Sequence, residues 1–278
     1  MPTDARRAAV VGSPVAHSLS PVLHRAAYEA LGLTDWTYDR LEADAAALPA
    51  LVSSLDSSWV GLSVTMPGKQ AALAVAAAAT PRALAVGAAN TLVRGDSGWQ
   101  ADCTDVDGVV GALRSLGPGH GVVLGAGGTA CAALAALVDL GVGSAYVVAR
   151  DTTRAEPALR CASKLGLPTS FVAWSAAEFG ELAAGAAVVV NTAPAAAVEP
   201  HATELAQAPC VLDVIYHPWP TALAQAVAAH GGRVSTGLDM LLHQAFGQVE
   251  QFTGHPAPRA AMRDALSAAT GGVVPLPI

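Results

Sequence analysis

Hydrophobic positions in the first part of the chain fall in short solid runs separated by stretches with helical spacing. Residues 8–11 form such a run, 21–31 are spaced for a helix, 36–41 are a second run, 45–55 a second helix and 60–64 a third run. Solid runs bounded by turn residues read as strands covered on both faces, and their alternation with helices predicts βαβ units around a parallel-rich sheet. The rhythm resumes with strands over 121–124, 145–149, 170–172, 188–191 and 211–214. From Leu238 on, Leu241, Leu242, Ala245, Phe246, Val249 and Phe252 recur at helical spacing, and only helix is predicted to the end. The pattern predicts an α/β protein of two doubly wound domains. The first, residues 1–104, is completed by C-terminal helices over 238–278; the second occupies 105–237.

The length of 278 residues accommodates two compact domains. A net charge of −7 argues against a nucleic-acid partner. The mean hydropathy of +0.43 is inflated by Ala and Val, and no run of about 20 apolar residues predicts a membrane span. Met1-Pro2-Thr3-Asp4-Ala5-Arg6-Arg7 leads into an apolar run too short for a signal-peptide core, so a cytoplasmic protein is expected. Cys103, Cys131, Cys161 and Cys210 show no Cys-x-x-Cys spacing and the histidines are scattered. Reduced thiols and no metal site are expected. The oligomeric state stays open between monomer and homodimer.

Gly125-Ala126-Gly127-Gly128-Thr129-Ala130 follows the run 121–124 and opens a predicted helix over 129–140. Glycines allow a tight turn and close backbone approach, and the free N–H groups of the helix start attract a pyrophosphate. The strand 145–149 ends where such a unit recognises the ribose, and Arg150 stands there with Arg154 beyond. An acidic residue would bind the ribose hydroxyls of NAD, whereas two guanidinium groups would hold the 2′-phosphate of NADP. Asp151, between them, leaves both readings open.

Other chemistry-bearing segments end or follow strands. The chain has thirteen arginines and two lysines, and Lys69 lies just past the strand end in Ser63-Val64-Thr65-Met66-Pro67-Gly68-Lys69. Lysine, unlike arginine, can exchange a proton near neutral pH when desolvated, so Lys69 is a candidate for acid/base work as well as a surface residue opening a helix over 71–79. Asp102, Asp105 and Asp107 sit at the inferred domain junction. Their spacing fits no EF-hand or facial-triad pattern, and helix capping accounts for one or two of them. Ser20 with Pro21 reads as an N-cap and first-turn pair, which leaves Ser18 unexplained; two hydroxyls at a helix start also suit the carboxylate of a small acid. Asn90 heads an apolar run as a turn residue would.

Taken in order, these segments resemble the shikimate dehydrogenase family over nearly the whole chain. The resemblance rests on Gly12-Ser13-Pro14 with His17-Ser18-Leu19-Ser20-Pro21-Val22-Leu23-His24, Ser63 to Lys69, Gly87-Ala88-Ala89-Asn90-Thr91, Thr104-Asp105-Val106-Asp107-Gly108 and the glycine loop. It continues through Asp213-Val214-Ile215-Tyr216-His217-Pro218 and Gly237-Leu238-Asp239-Met240-Leu241-Leu242-His243-Gln244-Ala245. It implies an N-terminal substrate domain completed by the C-terminal helices, a Rossmann-type NADP-binding domain, and NADPH-dependent reduction of 3-dehydroshikimate to shikimate in aromatic amino-acid biosynthesis. Lys69 and Asp105 would form the catalytic pair. Ser18, Ser20 and Tyr216 would hold the substrate carboxylate, and Thr65, Asn90, Asp105 and Gln244 its hydroxyls. Gly125, Ala126, Gly127, Gly128, Thr129, Ala130, Arg150 and Arg154 would hold the dinucleotide, with Gly237 and Met240 near the nicotinamide.

Several positions depart from the family pattern. Ser63 and Cys103 stand where asparagine is frequent, Arg25 replaces an asparagine after His24, and Asn191-Thr192-Ala193-Pro194 lacks a following Gly-Met. An NAD-dependent quinate/shikimate dehydrogenase is the nearest alternative, favoured if Asp151 meets the ribose. A non-catalytic dinucleotide-binding module is the other, against which Lys69 and Asp105 argue.

Overall fold

The computed structural model describes residues 5–278, so Met1–Asp4 of the N-terminal segment considered above lie outside the described residues. The chain divides into two compact units, one of residues up to Thr104 together with Leu241–Ile278, the other Asp105–Met240.

The first unit holds a sheet of β1 (Arg6–Gly12), β2 (Trp36–Glu42), β3 (Trp59–Val64), β4 (Ala78–Ala79), β5 (Thr91–Gly95) and β6 (Gly98–Asp102), in the order β2-β1-β3-β5-β6-β4. β1 pairs in parallel with β2 and β3, in the expected βαβ rhythm. Beyond β3 the sheet is mixed, and β5 runs antiparallel to both β3 and β6. Asp96 and Ser97 between Gly95 and Gly98 form a two-residue hairpin loop, which joins only antiparallel strands. The helix expected over 71–79 also ends early. Helix Lys69–Val75 stops because Ala76 turns extended, and Ala78–Ala79 pair with Gln100–Ala101 before Thr80 caps helix Pro81–Val86. Alanine's helix propensity is overridden there by a strand partner and by Pro81.

Two later helices complete this unit. Helix Gly237–Thr253 begins with a reciprocal cap, Thr236 N–H donating to Asp239 Oδ2 at 2.8 Å and Asp239 N–H to Thr236 Oγ1 at 3.3 Å. In the first unit its Phe252 ring stacks on His24, and helix Arg259–Ala269 packs along helix Ser20–Ala30.

The second unit is a sheet of β7 (His120–Leu124), β8 (Ala145–Ala149), β9 (Thr169–Ala173), β10 (Ala186–Asn191), β11 (Cys210–Asp213) and β12 (Arg233–Thr236), ordered β12-β11-β10-β7-β8-β9 with every pair parallel. This is the Rossmann order, and its direction reverses between β7 and β10, where ligands of such sheets bind at the carboxyl ends of the strands. The register places Leu124 beside Asn191 and Val148, so the loops leaving β7, β10 and β8 open side by side. The strand residues Val122, Val123, Val147, Val148 and Val188–Val190 are fully buried, as solid apolar runs require. β12 escapes the apolar pattern because it has only four residues, beginning with the exposed Arg233.

Candidate active site

In the first unit the candidate residues gather at the carboxyl ends of β1 and β3 and at the entry to β5. Thr65 directly follows β3 and donates its N–H to Val11 O at 2.9 Å. The Gly68 N–H then donates to Thr65 O at 2.9 Å, a turn that makes Lys69 the first residue of its helix. The Lys69 carbonyl accepts the Ala89 N–H at 2.9 Å, which ties it to the segment carrying Asn90. Lys69 is thus held by its backbone on both sides.

Ser18 and Ser20 come together, with the Ser18 hydroxyl oxygen accepting the Ser20 N–H at 3.3 Å and lying 3.3 Å from Ser20 Oγ. Ser20 is not the N-cap its position suggests. The backbone is already helical at Leu19, which occupies the cap position without a side-chain bond, so Ser20 falls inside the first turn and its hydroxyl does not cap the helix. Arg40, which sequence reasoning missed, donates from Nε and Nη2 to the Ser18 carbonyl at 3.2 and 2.6 Å.

Asn90 is 3% exposed. Its Oδ1 accepts from the Thr104 N–H at 2.7 Å and from Thr91 Oγ1 at 2.9 Å, and its Nδ2 donates to Gln244 Oε1 at 3.1 Å. Asn90 and Gln244, 154 residues apart, therefore share one polar cluster. A second string runs behind it. Tyr38 Oη donates to Ser63 Oγ at 2.6 Å, Ser63 Oγ to Gln248 Oε1 at 2.7 Å, and Gln248 Nε2 to Asn90 O and Thr91 Oγ1, both at 3.1 Å. Ser63 thus supplies a hydrogen-bonding group where the family often has asparagine. His24 stacks on Tyr38 with centroids 4.0 Å apart and places Nε2 at 3.3 Å from Gln248 Oε1. Burial pushes its imidazole down to about 3 against the bond to Gln248, so the ring is neutral and Nε2 carries the proton toward that acceptor. Gln248 and Tyr38 were not legible as site supports, although Gln248 lies one helical turn beyond Gln244 and so on the same face.

Asp102 is occupied structurally. Burial alone would raise its carboxyl, yet bonds from Arg82 Nε (2.7 Å) and Nη2 (2.5 Å), Thr80 Oγ1 (2.6 Å) and the Cys103 N–H (2.8 Å) hold it at about 2. Gln251 Nε2 donates to it as well, at 2.8 Å. Cys103 contributes its backbone there, and its side chain is buried. Asp105 and Asp107 open helix Asp105–Leu113, where carboxylates suit the positive end of the helix dipole. Among the described residues no group of three or more His, Cys, Asp and Glu side chains could hold a metal ion.

The second unit carries Asp105, Tyr216, Gly237, Met240 and the glycine loop 125–130. Asp105 is 6% exposed and follows directly on Thr104. Gly125 has φ +103°, and a Cβ on it would strike Thr192 Oγ1, which donates to Leu124 O at 2.8 Å. Only glycine allows this close passage. At Gly127 and Gly128 a Cβ would meet nothing within 4 Å, and helix Gly128–Asp139 starts at Gly127 with no side-chain cap. Open space in front of uncapped amides is what a pyrophosphate requires. The helix begins one residue earlier than the pattern suggests, with Thr129 and the fully buried Ala130 in its first turn.

Gly125, Ala126 and Gly127 line a cleft of about 620 Å³ together with Arg150, Thr153, Arg154, Trp174 and Pro194. Asp151 caps helix Thr152–Lys164, its Oδ1 accepting the Arg154 N–H at 2.9 Å, while its Oδ2 lies 4.0 Å from Arg154 Nε. Arg150 and Arg154 line the cleft, and Asp151 is engaged at the helix end beside them.

Tyr216 leaves β11 on the loop after Asp213, and burial pushes its phenol up. Asp213 anchors that loop, its Oδ2 accepting Thr221 Oγ1 at 2.6 Å and its Oδ1 accepting Asn191 Nδ2 at 3.0 Å. Gly237 packs against this segment, where a Cβ would run into Val214 O and come within 2.9 Å of Tyr216 Cδ1. Met240 is 8% exposed on the helix that follows.

Residues 10–92 match the profile of the shikimate dehydrogenase substrate binding domain, and residues 237–266 that of the shikimate 5′-dehydrogenase C-terminal domain. A shikimate dehydrogenase (NADP(+)) of Methylobacterium radiotolerans is 38% identical, over 96% of this chain and 98% of the relative. The crystal structure of Mycobacterium tuberculosis shikimate dehydrogenase superposes with a TM-score of 0.91 at 54% identity, covering 95% of this chain and 99% of that one. The Thermus thermophilus shikimate 5-dehydrogenase in complex with NADP(H) and shikimate gives a TM-score of 0.80 at 30% identity, with 95% and 99% covered. With relatives of this identity matching along nearly its whole length, the chain belongs to the shikimate dehydrogenase family.

Proposed function

We propose that this chain is an NADP-dependent shikimate dehydrogenase, reducing 3-dehydroshikimate to shikimate in the route to aromatic amino acids. The observation that carries the reading is the cleft lined together by the glycine loop, Arg150 and Arg154, with one oxygen of Asp151 committed to a helix cap. Family membership supplies the reaction. A cytoplasmic location and a monomeric or homodimeric state accompany the proposal; among the described residues no helix is long and apolar enough to cross a membrane.

The division of labour follows the two units. In this reading the unit completed by Leu241–Ile278 binds and turns over the substrate, and Asp105–Met240 holds the dinucleotide. Ser18, Ser20 and Tyr216 would hydrogen-bond the substrate carboxylate through their hydroxyls, and Thr65, Asn90 and Gln244 its ring hydroxyls. The cofactor, when bound, supplies a hydride to the carbonyl carbon. Lys69 stands at the carbonyl oxygen, where negative charge grows, and its ammonium group gives that oxygen the proton. Asp105 orients the ammonium and accepts a substrate hydroxyl. Gly125 to Ala130 would hold the pyrophosphate and Arg150 and Arg154 the 2′-phosphate, with Gly237 and Met240 on the nicotinamide side.

Arg150→Ala is expected to raise the KM for NADPH roughly tenfold or more, the scale of a lost charge-assisted bond, and to leave the KM for 3-dehydroshikimate within a factor of about two. Steady-state kinetics with each substrate varied in turn checks this. Equal effects on both KM values would make the arginine structural and remove the support for NADP.

A further inference from the structure

We propose that the adenine ring of the dinucleotide stacks on the indole of Trp174, an inference that rests on the NADP reading of the cleft. Trp174 is the first residue beyond β9, in the short turn Trp174–Ala176. The sheet order β7-β8-β9 sets out the ligand in sequence: the glycine loop leaves β7, the ribose-side arginines leave β8, and the next position outward is the end of β9. A dinucleotide half whose phosphates lie on the glycine loop and whose ribose lies by Arg150 therefore has its base nearest Trp174.

The chemistry of the walls agrees. Pro157, Pro194 and Ala197 line the same cleft and present apolar surface suited to a flat heterocycle. The indole is fixed from behind by Phe179, edge-on with centroids 5.2 Å apart at 61°, and by the core under β10 and β11. It is half-buried, so part of the ring remains open to the cleft. A pre-positioned aromatic face costs little side-chain entropy on binding, and every adenine has a π-face to meet it. Of the chain's five tryptophans, Trp174 is the one among the cleft-lining residues, which makes its emission a reporter of this contact.

The test titrates the full chain with adenosine 2′,5′-bisphosphate, followed by calorimetry and by tryptophan fluorescence. Wild type is expected to bind with quenched emission. Trp174→Phe, which keeps a ring against Phe179, is expected to bind within a few-fold and to lose the quench. Trp174→Leu is expected to raise both the Kd of this nucleotide and the KM for NADPH roughly tenfold, with the KM for 3-dehydroshikimate unmoved. Calorimetric binding to wild type with unchanged emission, together with an unchanged KM in Trp174→Leu, would overturn the stack and leave the NADP reading standing. No calorimetric binding to wild type would overturn both.

Discussion

Replacing Lys69 with alanine is expected to lower kcat by about 10²- to 10⁴-fold, the usual worth of a positioned proton donor, and to change the KM for 3-dehydroshikimate by no more than a few-fold. A loss of this shape identifies an interaction made in the transition state and absent from the ground state. The framework should survive the change, because Gly68, Thr65 and Ala89 position residue 69 through backbone bonds and alanine is at home in a first helical turn. Lys69→Arg separates the two roles a cation can play. Arginine keeps the charge but gives up its proton far less readily, so a variant as slow as Lys69→Ala marks Lys69 as the acid. Partial recovery in Lys69→Arg would make it chiefly an electrostatic stabiliser, and near-normal turnover in Lys69→Ala would remove it from the mechanism.

Arg82→Ala is expected to destabilise the first unit by about 3 kcal/mol, because it strands a buried carboxylate rather than deleting a pair. Asp102 accepts from both Nε and Nη2 of Arg82, and its side chain is 7% exposed. In wild type its carboxyl lies at about 2 instead of the usual 3.8, so the unfolded chain binds the proton first as pH falls. The resulting stability, about 2 kcal/mol, is fully present above about pH 5 and is lost progressively as pH falls through 3.8 and then 2. Without Arg82 its bond and charge no longer oppose burial, so the carboxyl moves up from about 2 and acid costs the variant less than it costs wild type. The stability gap between the two should therefore shrink as pH falls below about 4. Denaturant unfolding of the full chain at neutral and acid pH measures it; a gap that stays constant would show that Arg82 acts through packing rather than through Asp102.

Sequence disclosed most where one residue type has one physical use. Gly125 and Gly127 after a solid apolar run foretell the tight turn that Gly125 makes at φ +103°, and Arg150 at the next strand end lines the same cleft, because each follows from local backbone and charge. Asp151 was ambiguous for the same reason: its identity suggests a ribose partner, and only the three-dimensional path of helix Thr152–Lys164 reveals that its oxygen meets the Arg154 N–H. Contacts of long range were out of reach. The string from Tyr38 through Ser63 to Gln248 joins residues 25 and 185 positions apart, and no periodicity encodes such a pairing. The antiparallel β5–β6 hairpin was missed although Gly95-Asp96-Ser97-Gly98 carries a turn signal, because the surrounding βαβ rhythm suggested a parallel sheet.

NADPH-dependent reduction of 3-dehydroshikimate is measured most directly as the loss of reduced-nicotinamide absorbance with that substrate, run in parallel with NADPH and NADH, with the reverse reaction followed on shikimate and quinate. The predicted result is rapid oxidation of NADPH, a much higher kcat/KM with NADPH than with NADH, and reverse turnover on shikimate. Preference for NADH with turnover on quinate, or no turnover with any pair, would contradict it.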